Sequence, residues 1–385
     1  MFSRYLVGGA VRDALLGREC KDRDWVVVGA TPDSMRAAGY QLKDPEFQVY
    51  LHPQTGEEHV LARLEKKTQD GHRGFAVDFS PTTTLTDDLR RRDFTINAIA
   101  QDEQGTLIDP FEGLADLKRG IIKHVSPAFI DDPLRVWRGA QLAARLASHA
   151  FSIAPSTLSL MCEICLRQEF LSLNSGRIWL ETDKAVAANE VVTYLSVLDH
   201  IGALTALIST ATESGGRRGM VWEVRESIAQ SGLPGAAQLI AFVLAFDPLA
   251  DYDHGETLLR GLGAPARYHR LFNVTRATLE CLPQLPSMTP EDFLHVLQGW
   301  DAFRRSERFA SAMRIARIIV NAVTANRKVA DYTLRLLEQG FRAAQSTDLS
   351  TLRDPALPGR LKKTRVTTLR CDAISRAWLE CQKGA

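Results

Sequence analysis

Residues 6–29 read LVGGAVRDALLGRECKDRDWVVVG: a turn, a short helix, then a strand beginning with two carboxylates one residue apart. In an extended strand side chains alternate faces, so Asp22 and Asp24 point one way and Arg23 the other. Two like charges held that close need a counter-ion, and hard divalent cations such as Mg²⁺ take oxygen ligands and bring phosphates into the same coordination sphere. The apolar run Trp25-Val26-Val27-Val28, closed by Gly29, predicts a strand buried in a sheet with the carboxylates at its start. Upstream, Gly8 and Gly9 precede a helix opening near Ala10, whose free N–H groups and dipole favour an anion. Arg12, one turn inside, is within reach of the same phosphate.

Two further blocks extend the pattern. Residues 87–98, DDLRRRDFTINA, put Arg90, Arg91 and Arg92 ahead of Asp93 and Asn97, and residues 109–113 read DPFEG. The order GGAVRD, DRD, RRDFTINA, DPFEG over about the first 200 residues resembles the class II tRNA nucleotidyltransferases, the CCA-adding enzymes, and the related bacterial poly(A) polymerases. The polymerase branch usually carries a G-R/K-R-F-x-L-x-H-V block after the metal strand. Nothing like it stands between Gly29 and Arg90, so the resemblance is nearer to the bacterial CCA-adding enzymes.

The resemblance and the patterning agree on an α+β fold: a nucleotidyltransferase head with a small mixed sheet and flanking helices over residues 1–120, followed by an all-α neck (121–215), body (216–352) and tail (353–385). Thr31-Pro32 predict an N-cap and first helical position. The segment His59–Glu65 alternates as a strand, and Glu58 or Glu65 at its ends is a third carboxylate for the metal, the choice being open. The polar segment Lys66–Phe75 reads as a hairpin connection from periodicity, and as a flexible functional element needed for the terminal A from the resemblance. From about residue 121 the strands are expected to stop. Helical spacing runs over 133–148 and 155–171, with loops at Gly215-Gly216, Asp247-Pro248, Pro283–Pro290 and Arg353–Gly359.

A chain of 385 residues, 45% hydrophobic, is long enough for two or more cores. Its net charge of +1 makes any nucleic-acid surface a local patch. No apolar run reaches the roughly 18 residues of a membrane span. Met1 leads straight into the first motif with no signal-peptide pattern, and six scattered cysteines suit a reducing compartment, so the cytoplasm is expected. Cys162 and Cys165 form a C-x-x-C, but they lie on an apolar helical pattern with no second pair and read as a packed helix face.

Outside the head, the most informative stretch is Asp131-Asp132-Pro133-Leu134-Arg135-Val136-Trp137-Arg138. With proline in the first turn, Asp131 or Asp132 suits a helix cap, and Arg135 and Arg138 share one helical face. The stretch resembles the family's E-D-x-x-R element, which implies that Asp132 accepts from the exocyclic amine of C or A while Arg135 donates to the adjacent ring nitrogen. U and G reverse that edge, and each mismatched contact costs on the order of 1–3 kcal/mol. Two departures stand out: Asp131 replaces the family's glutamate and keeps a supporting role, and Gln141 replaces an arginine, which predicts weaker nucleotide affinity. Arg177–Glu181 resembles the neck element E-R-x-x-x-E with Gly176 in place of the first glutamate. An exposed amphipathic face is the alternative there.

The resemblance further implies that Asp22 and Asp24 hold two Mg²⁺ ions, that Gly8, Gly9, Arg12, Arg92 and Arg138 bind the nucleotide with Asp132 and Arg135, and that Asp93, Asn97 and Arg177 support the site. Asp93 and Asn97 serve the ribose end or brace the metal strand. The substrates implied are tRNA, CTP and ATP. Alternatives are a poly(A) polymerase, an enzyme adding only CC, or a catalytically impaired tRNA-binding protein. No histidine is followed by aspartate, so the phosphohydrolase chemistry of the family's His-Asp domain is not expected. The cations Arg353, Arg360, Lys362, Lys363, Arg365, Arg370 and Arg376, with Trp378, form a basic tail, read either as a solvated face or as a tRNA contact.

Overall fold

In a computed structural model the chain is described except for residues 1, 21–22, 68–74, 168–172, 209–216, 247–251, 325, 351–357 and 384–385. It forms two compact units, Met1–Ser209 and Thr210–Ala385.

The first unit begins with β1 (Ser3–Val7), α1 (Gly9–Leu15), β2 (Asp24–Val28), α2 (Pro32–Ala37), β3 (Gln41–Asp44), β4 (Val49–Leu51) and β5 (Glu58–Leu61). A hairpin of β6 (Leu64–Lys67) and β7 (Phe75–Asp78), α3 (Leu85–Arg90), β8 (Ala100–Gln101), β9 (Leu107–Ile108) and α4 (Gly113–Arg119) complete the head. The sheet runs β3-β4-β5-β2-β1-β8-β9, with β2 and β5 parallel and every other pair antiparallel.

The valine run behaves as its composition requires: Val26 packs with Val7, Leu89 and Ala98 on one face, and Val27 with Met35, Tyr50 and Leu61 on the other. Both are almost fully buried. Alternation then puts Asp24 on the Val26 face, toward Leu89 of α3, at the exposed strand start. Thr31 caps α2 as expected, its hydroxyl accepting from the Ser34 N–H.

Three expectations are corrected. The strand expected over His59–Glu65 is two strands in two sheets: the Ala62 N–H donates to Val27 O (2.8 Å) and the Arg63 N–H to Asp88 Oδ1 (3.4 Å), which turns the chain off the main sheet before β6. Strands do not stop at 121, because β10 (Ile121–Ile122) pairs in parallel with β11 (Ser152–Ile153). The Ser152 and Ala154 N–H groups donate to Gly120 O and Ile122 O at 2.9 Å, tying together the two ends of the segment between them. The loop expected at Pro283–Pro290 holds a 3₁₀ turn, Leu282–Ser287, whose Leu282 and Leu285 are buried, and proline's fixed φ suits such a turn.

Helices α5 (Leu134–Arg145), α6 (Pro155–Arg167), α7 (Ser175–Ala187), α8 (Val191–His200) and α9 (Ala203–Ile208) finish the first unit. Cys165 is buried on α6, and burial pushes its thiol up to about 12. That is the packed face expected of the C-x-x-C. Gly139 of α5 faces Met161 and Phe94: a Cβ there would lie 3.1 Å from Met161 Cε and 3.2 Å from Phe94 Cζ. The absent side chain lets the neck helix lie against the head.

The second unit is helical: α10 (Arg217–Gln230), α11 (Gly235–Phe246), α12 (Tyr252–Gly261), α13 (Ala266–Cys281), α14 (Pro290–Gly299), α15 (Ser306–Val323), α16 (Arg327–Gln345) and α17 (Gly359–Lys383). Phe293, Phe309, Leu337, Phe341, Ile374 and Trp378 build one core. The basic tail is thus the last helix of this unit: Trp378 is buried and donates from Nε1 to Leu336 O (2.8 Å), while Arg360 and Lys363 stay exposed. Among the described residues no helix is long and apolar enough to cross a membrane.

Candidate nucleotide-binding site

A cleft of about 590 Å³ opens beside the glycine turn, and the dispersed motifs meet in it: Gly8, Gly9 and Asp24 from the head, Arg92, Asp93 and Asn97 from RRDFTINA, Asp132, Arg135 and Arg138 from the neck, and Arg177 from α7. Gly8 has φ +72°, and a Cβ there would sit 2.9 Å from Arg92 Nη1. Only glycine admits both that backbone and that guanidinium.

Arg177 apart, each cation in the cleft is set by an anion or carbonyl behind it. Asp88, fully buried on α3, accepts from Arg91 (Nη2 to Oδ1, 2.9 Å) and Arg92 (Nη2 to Oδ2, 3.3 Å). Burial alone would raise its pKa, and the two guanidiniums outweigh that and lower it. Asp93 accepts from Arg138 on Oδ2 (2.6 Å), and on Oδ1 from the Phe94 N–H (2.8 Å) and Asn97 Nδ2 (3.1 Å). Desolvation pushes the Asp93 carboxyl up, but Arg138, Asn97 and Arg135 together hold its pKa at about 2. Arg135 donates to Ala128 O (2.8 Å) and Arg91 O (2.7 Å) and lies 5.8 Å from the Phe129 ring centroid. Asp132 stands just before α5, its Oδ1 accepting from the Leu134 N–H at 3.0 Å.

Arg12 is not among the cleft-lining residues. Its buried guanidinium donates from Nε to Asp13 Oδ1 (2.9 Å) and from Nη1 to Asn97 Oδ1 (2.5 Å). It is 5% exposed, too enclosed to reach a phosphate in this arrangement. Asp13 Oδ2 in turn accepts from Arg145 (2.6 Å). The result is a continuous relay, Arg145–Asp13–Arg12–Asn97–Asp93–Arg138, that leaves α5, crosses the head and returns to α5 two turns away. Arg12 is a strut where a clamp was expected.

DPFEG also turns out to brace the fold. Asp109 accepts from the N–H groups of Gly113 (2.7 Å) and Leu114 (2.8 Å), and Asp116 accepts from Thr95 Oγ1 (2.8 Å). Gly113 is pressed on Thr95 O, 2.2 Å from an imagined Cβ, so the turn seats the RRDFTINA segment.

Other expected residues fall elsewhere. Asp22 and most of the Lys66–Phe75 segment lie outside the described residues. Glu58 stands in register with Asp24 across the parallel β5–β2 pair but is ion-paired with Lys43, and Glu65 faces Val77 across the β6–β7 hairpin. Asp131, the last residue of the 3₁₀ turn Pro127–Asp131, does not line the cleft. Among the described residues no three His, Cys, Asp or Glu side chains gather as a metal set. The cleft also contains Arg63, with its Cζ 5.2 Å from the Phe47 ring centroid, and Arg91, neither singled out from sequence. The signal for Arg91 was present in the Arg90-Arg91-Arg92 run; its neighbour Arg90 turns instead to Phe111. The buried Nη1 of Arg177 has no hydrogen-bond partner, an uncompensated cation nitrogen beside the cleft.

Comparison with known proteins gives the family. Residues 4–123 match the family model described as the poly A polymerase head domain. The chain is 54% identical over 203 residues to a multifunctional CCA protein of Mannheimia succiniciproducens, covering 53% of this chain and 48% of that protein, so the match spans about half of the relative's length. It is 40% identical over 336 residues to a multifunctional CCA protein of Xylella fastidiosa, 80% of each. Among solved structures, a CCA-adding enzyme complexed with CTP matches with TM-score 0.67 at 17% identity, covering 100% of this chain and 90% of that chain. The Thermotoga maritima CCA-adding enzyme complexed with tRNA matches with TM-score 0.66 at 18% identity, covering 100% and 91%. At those identities the likeness is one of fold.

Proposed function

The chain belongs to the family of the multifunctional CCA proteins, and from that premise we propose that it adds C, C and A to the 3′ end of tRNA from CTP and ATP, releasing pyrophosphate, without a nucleic-acid template. The observation that carries this reading is convergence. The glycine turn, Asp24, the arginines around Asp88 and Asp93, the Asp132/Arg135 pair and Arg177 line one cleft although they span residues 8 to 177 of the chain.

The residues' chemistry fits a divalent cation at the head. Asp24 is a hard oxygen donor at an exposed strand start, and the sequence sets a second carboxylate, Asp22, two residues before it. Asp22 and Asp24 would hold a divalent cation such as magnesium, which when bound would supply charge for the triphosphate and acidify the attacking 3′-hydroxyl. The chain's own work is alignment and charge stabilisation, which dominate phosphoryl transfer. Gly8 and Gly9 admit the phosphates close to the backbone. Arg92, held by Asp88, and Arg177, with its spare nitrogen, offer donors to the phosphates. Asp93 turns Arg138 into place.

For base choice, Asp132 spends Oδ1 on its own helix and presents Oδ2 as the acceptor for the exocyclic amine of C or A. Arg135 carries five N–H donors and keeps some after bonding two carbonyls. The basic α17 is a proposed tRNA contact, and the cytoplasm the proposed location.

The test is nucleotide incorporation. Purified protein is given tRNA ending at the discriminator base with labelled CTP or ATP, singly and together. Incorporation of CTP alone, and of ATP only after CTP, is expected. Long A tails would make it a polymerase, CTP addition that stops at CC a partial enzyme, and silence with tRNA still bound a binding protein. Although relatives are called multifunctional, no hydrolysis of 2′,3′-cyclic AMP is expected with added metal.

A further inference from the structure

Two buried carboxylates of the head, Asp93 and Asp13, hold α5, and only one of them belongs to the nucleotide cleft. Asp93 accepts from Arg138 at 2.6 Å inside it. Asp13 accepts from Arg145 Nη2, also at 2.6 Å, and neither of these two residues lines the cleft. Arg138 and Arg145 stand seven residues apart on one face of α5, so about 10 Å of helical rise separates the two fastenings. Arg12 and Asn97 join the carboxylates, and the fastenings share one frame.

The far fastening is tied to the glycine turn. Asp13 lies on α1, whose first residue, Gly9, lines the cleft four positions earlier. Arg18, just beyond α1, donates from Nη1 to Arg145 O (2.9 Å), so the same stretch of head grips both side chain and backbone at the end of α5. At the opposite end of the helix stand Asp132 and Arg135. Apolar packing, which includes Gly139, Ala140, Ala143 and Ala144, supplies adhesion to α5 but little direction. Charge-assisted hydrogen bonds have set lengths and angles. Asp13 is 1% exposed, and a carboxylate so desolvated returns little stability when paired; fixing register is the best-attested use of such pairs.

We propose that Arg145 is a positioning residue for base choice: through Asp13 it holds α5, and with it Asp132 and Arg135, in register with the glycine turn. The proposal rests on the reading of Asp132 and Arg135 as the pair that faces the base. Such a pair discriminates only while it sits within about 0.5 Å of its productive place. A misplaced acceptor meets the right amine as poorly as the wrong carbonyl. Loosening the far end of α5 therefore removes selectivity before it removes binding, because Gly8, Gly9 and Arg92 belong to the head and stay with the phosphates.

The test is equilibrium dialysis of the full chain against labelled CTP and, separately, labelled UTP, with magnesium and without tRNA. Arg145→Gln should lower the preference for CTP over UTP by about fivefold, most of it as weaker CTP binding. A loss of folding would reduce both bound fractions alike and leave their ratio where it was. Asp13→Asn cuts the same link from the head: its oxygen still accepts from Arg12 while its amide opposes the Arg145 donor. It should lower the ratio by a similar factor, and the double variant no further than the larger single effect, as one shared contact requires. Should Arg145→Gln lose its helical circular dichroism, Asp13→Asn alone carries the test.

The parent's ratio in either single variant overturns the proposal, as do effects that multiply in the double variant. A parent that binds CTP and UTP equally removes base choice at Asp132 and Arg135, and the positioning role falls with it. A parent that prefers CTP, beside variants that prefer it to the same degree, sinks the positioning role alone.

Discussion

The two units use arginine in opposite ways. In the first, the guanidiniums of Arg12, Arg92 and Arg138 are held by Asp13, Asp88 and Asp93, all at most 6% exposed. In the second, the Arg360 and Arg365 side chains of α17 extend into solvent over a core of Phe293, Phe309, Phe341 and Trp378. Charge that is buried and paired fixes geometry, and it is expensive to desolvate and to disturb. Charge left outside costs little and gives affinity that salt can tune. The site of proposed chemistry has the first kind, the surface proposed for RNA the second.

The comparison breaks first at the metal strand. Alanine at both Asp22 and Asp24 should cut CTP incorporation by at least three orders of magnitude, roughly 4 kcal/mol of barrier, while tRNA retention and the urea midpoint stay near the parent's. Full activity in that variant would remove the functional reading. Next comes the structural charge. Asp13→Ala leaves Arg12 and Arg145 without their carboxylate and should cost about 3–5 kcal/mol in urea unfolding. Phe309→Ala in the second unit should cost a similar amount through its cavity. The Phe309 loss should be flat from pH 4 to 8, because no ionisable group is removed.

Asp93 sharpens the same point. Its pKa is depressed to about 2 in the folded state, so the stability it gives is present above its unfolded pKa of about 4 and is lost as pH falls through 2. Asp93→Asn should therefore be destabilised by on the order of 2 kcal/mol at pH 7 relative to the parent, with the gap closing toward pH 2 in denaturant melts. An unchanged gap across that range would contradict the pairing. Asp132→Ala should act on selection, lowering discrimination of CTP against UTP by about tenfold in kcat/KM. The smallest effect belongs to a cap: Thr289, whose hydroxyl accepts from the Asp292 N–H, should cost about 1 kcal/mol as alanine.

What could be read from the chain alone follows the range of the physics. Val26 and Val27 announce a strand covered on both sides, and Thr31-Pro32 a helix start, because both signals act within a few residues. The glycine turn and Asp132 reach the cleft for the same local reason. Arg12 was misjudged because its partners are set by the fold: Asn97 lies 85 residues away, and Asp13 is held from 132 residues away by Arg145. Arg63 reaches the cleft only because Asp88 and Val27 turn the chain at Ala62, a bend that alternation in one strand cannot reveal.

The relay from Arg145 through Asp13, Arg12, Asn97 and Asp93 to Arg138 bears on how such proteins can be recombined. A chimera joined near residue 120 would take three of those side chains and Asn97 from one parent and the two α5 arginines from the other. Each parent's half would then bring carboxylates or guanidiniums matched to a partner left behind. The smallest portion that can be exchanged intact is therefore the head together with α5, and a graft that ignores this should yield a folded-looking hybrid whose two halves no longer agree on where a nucleotide sits.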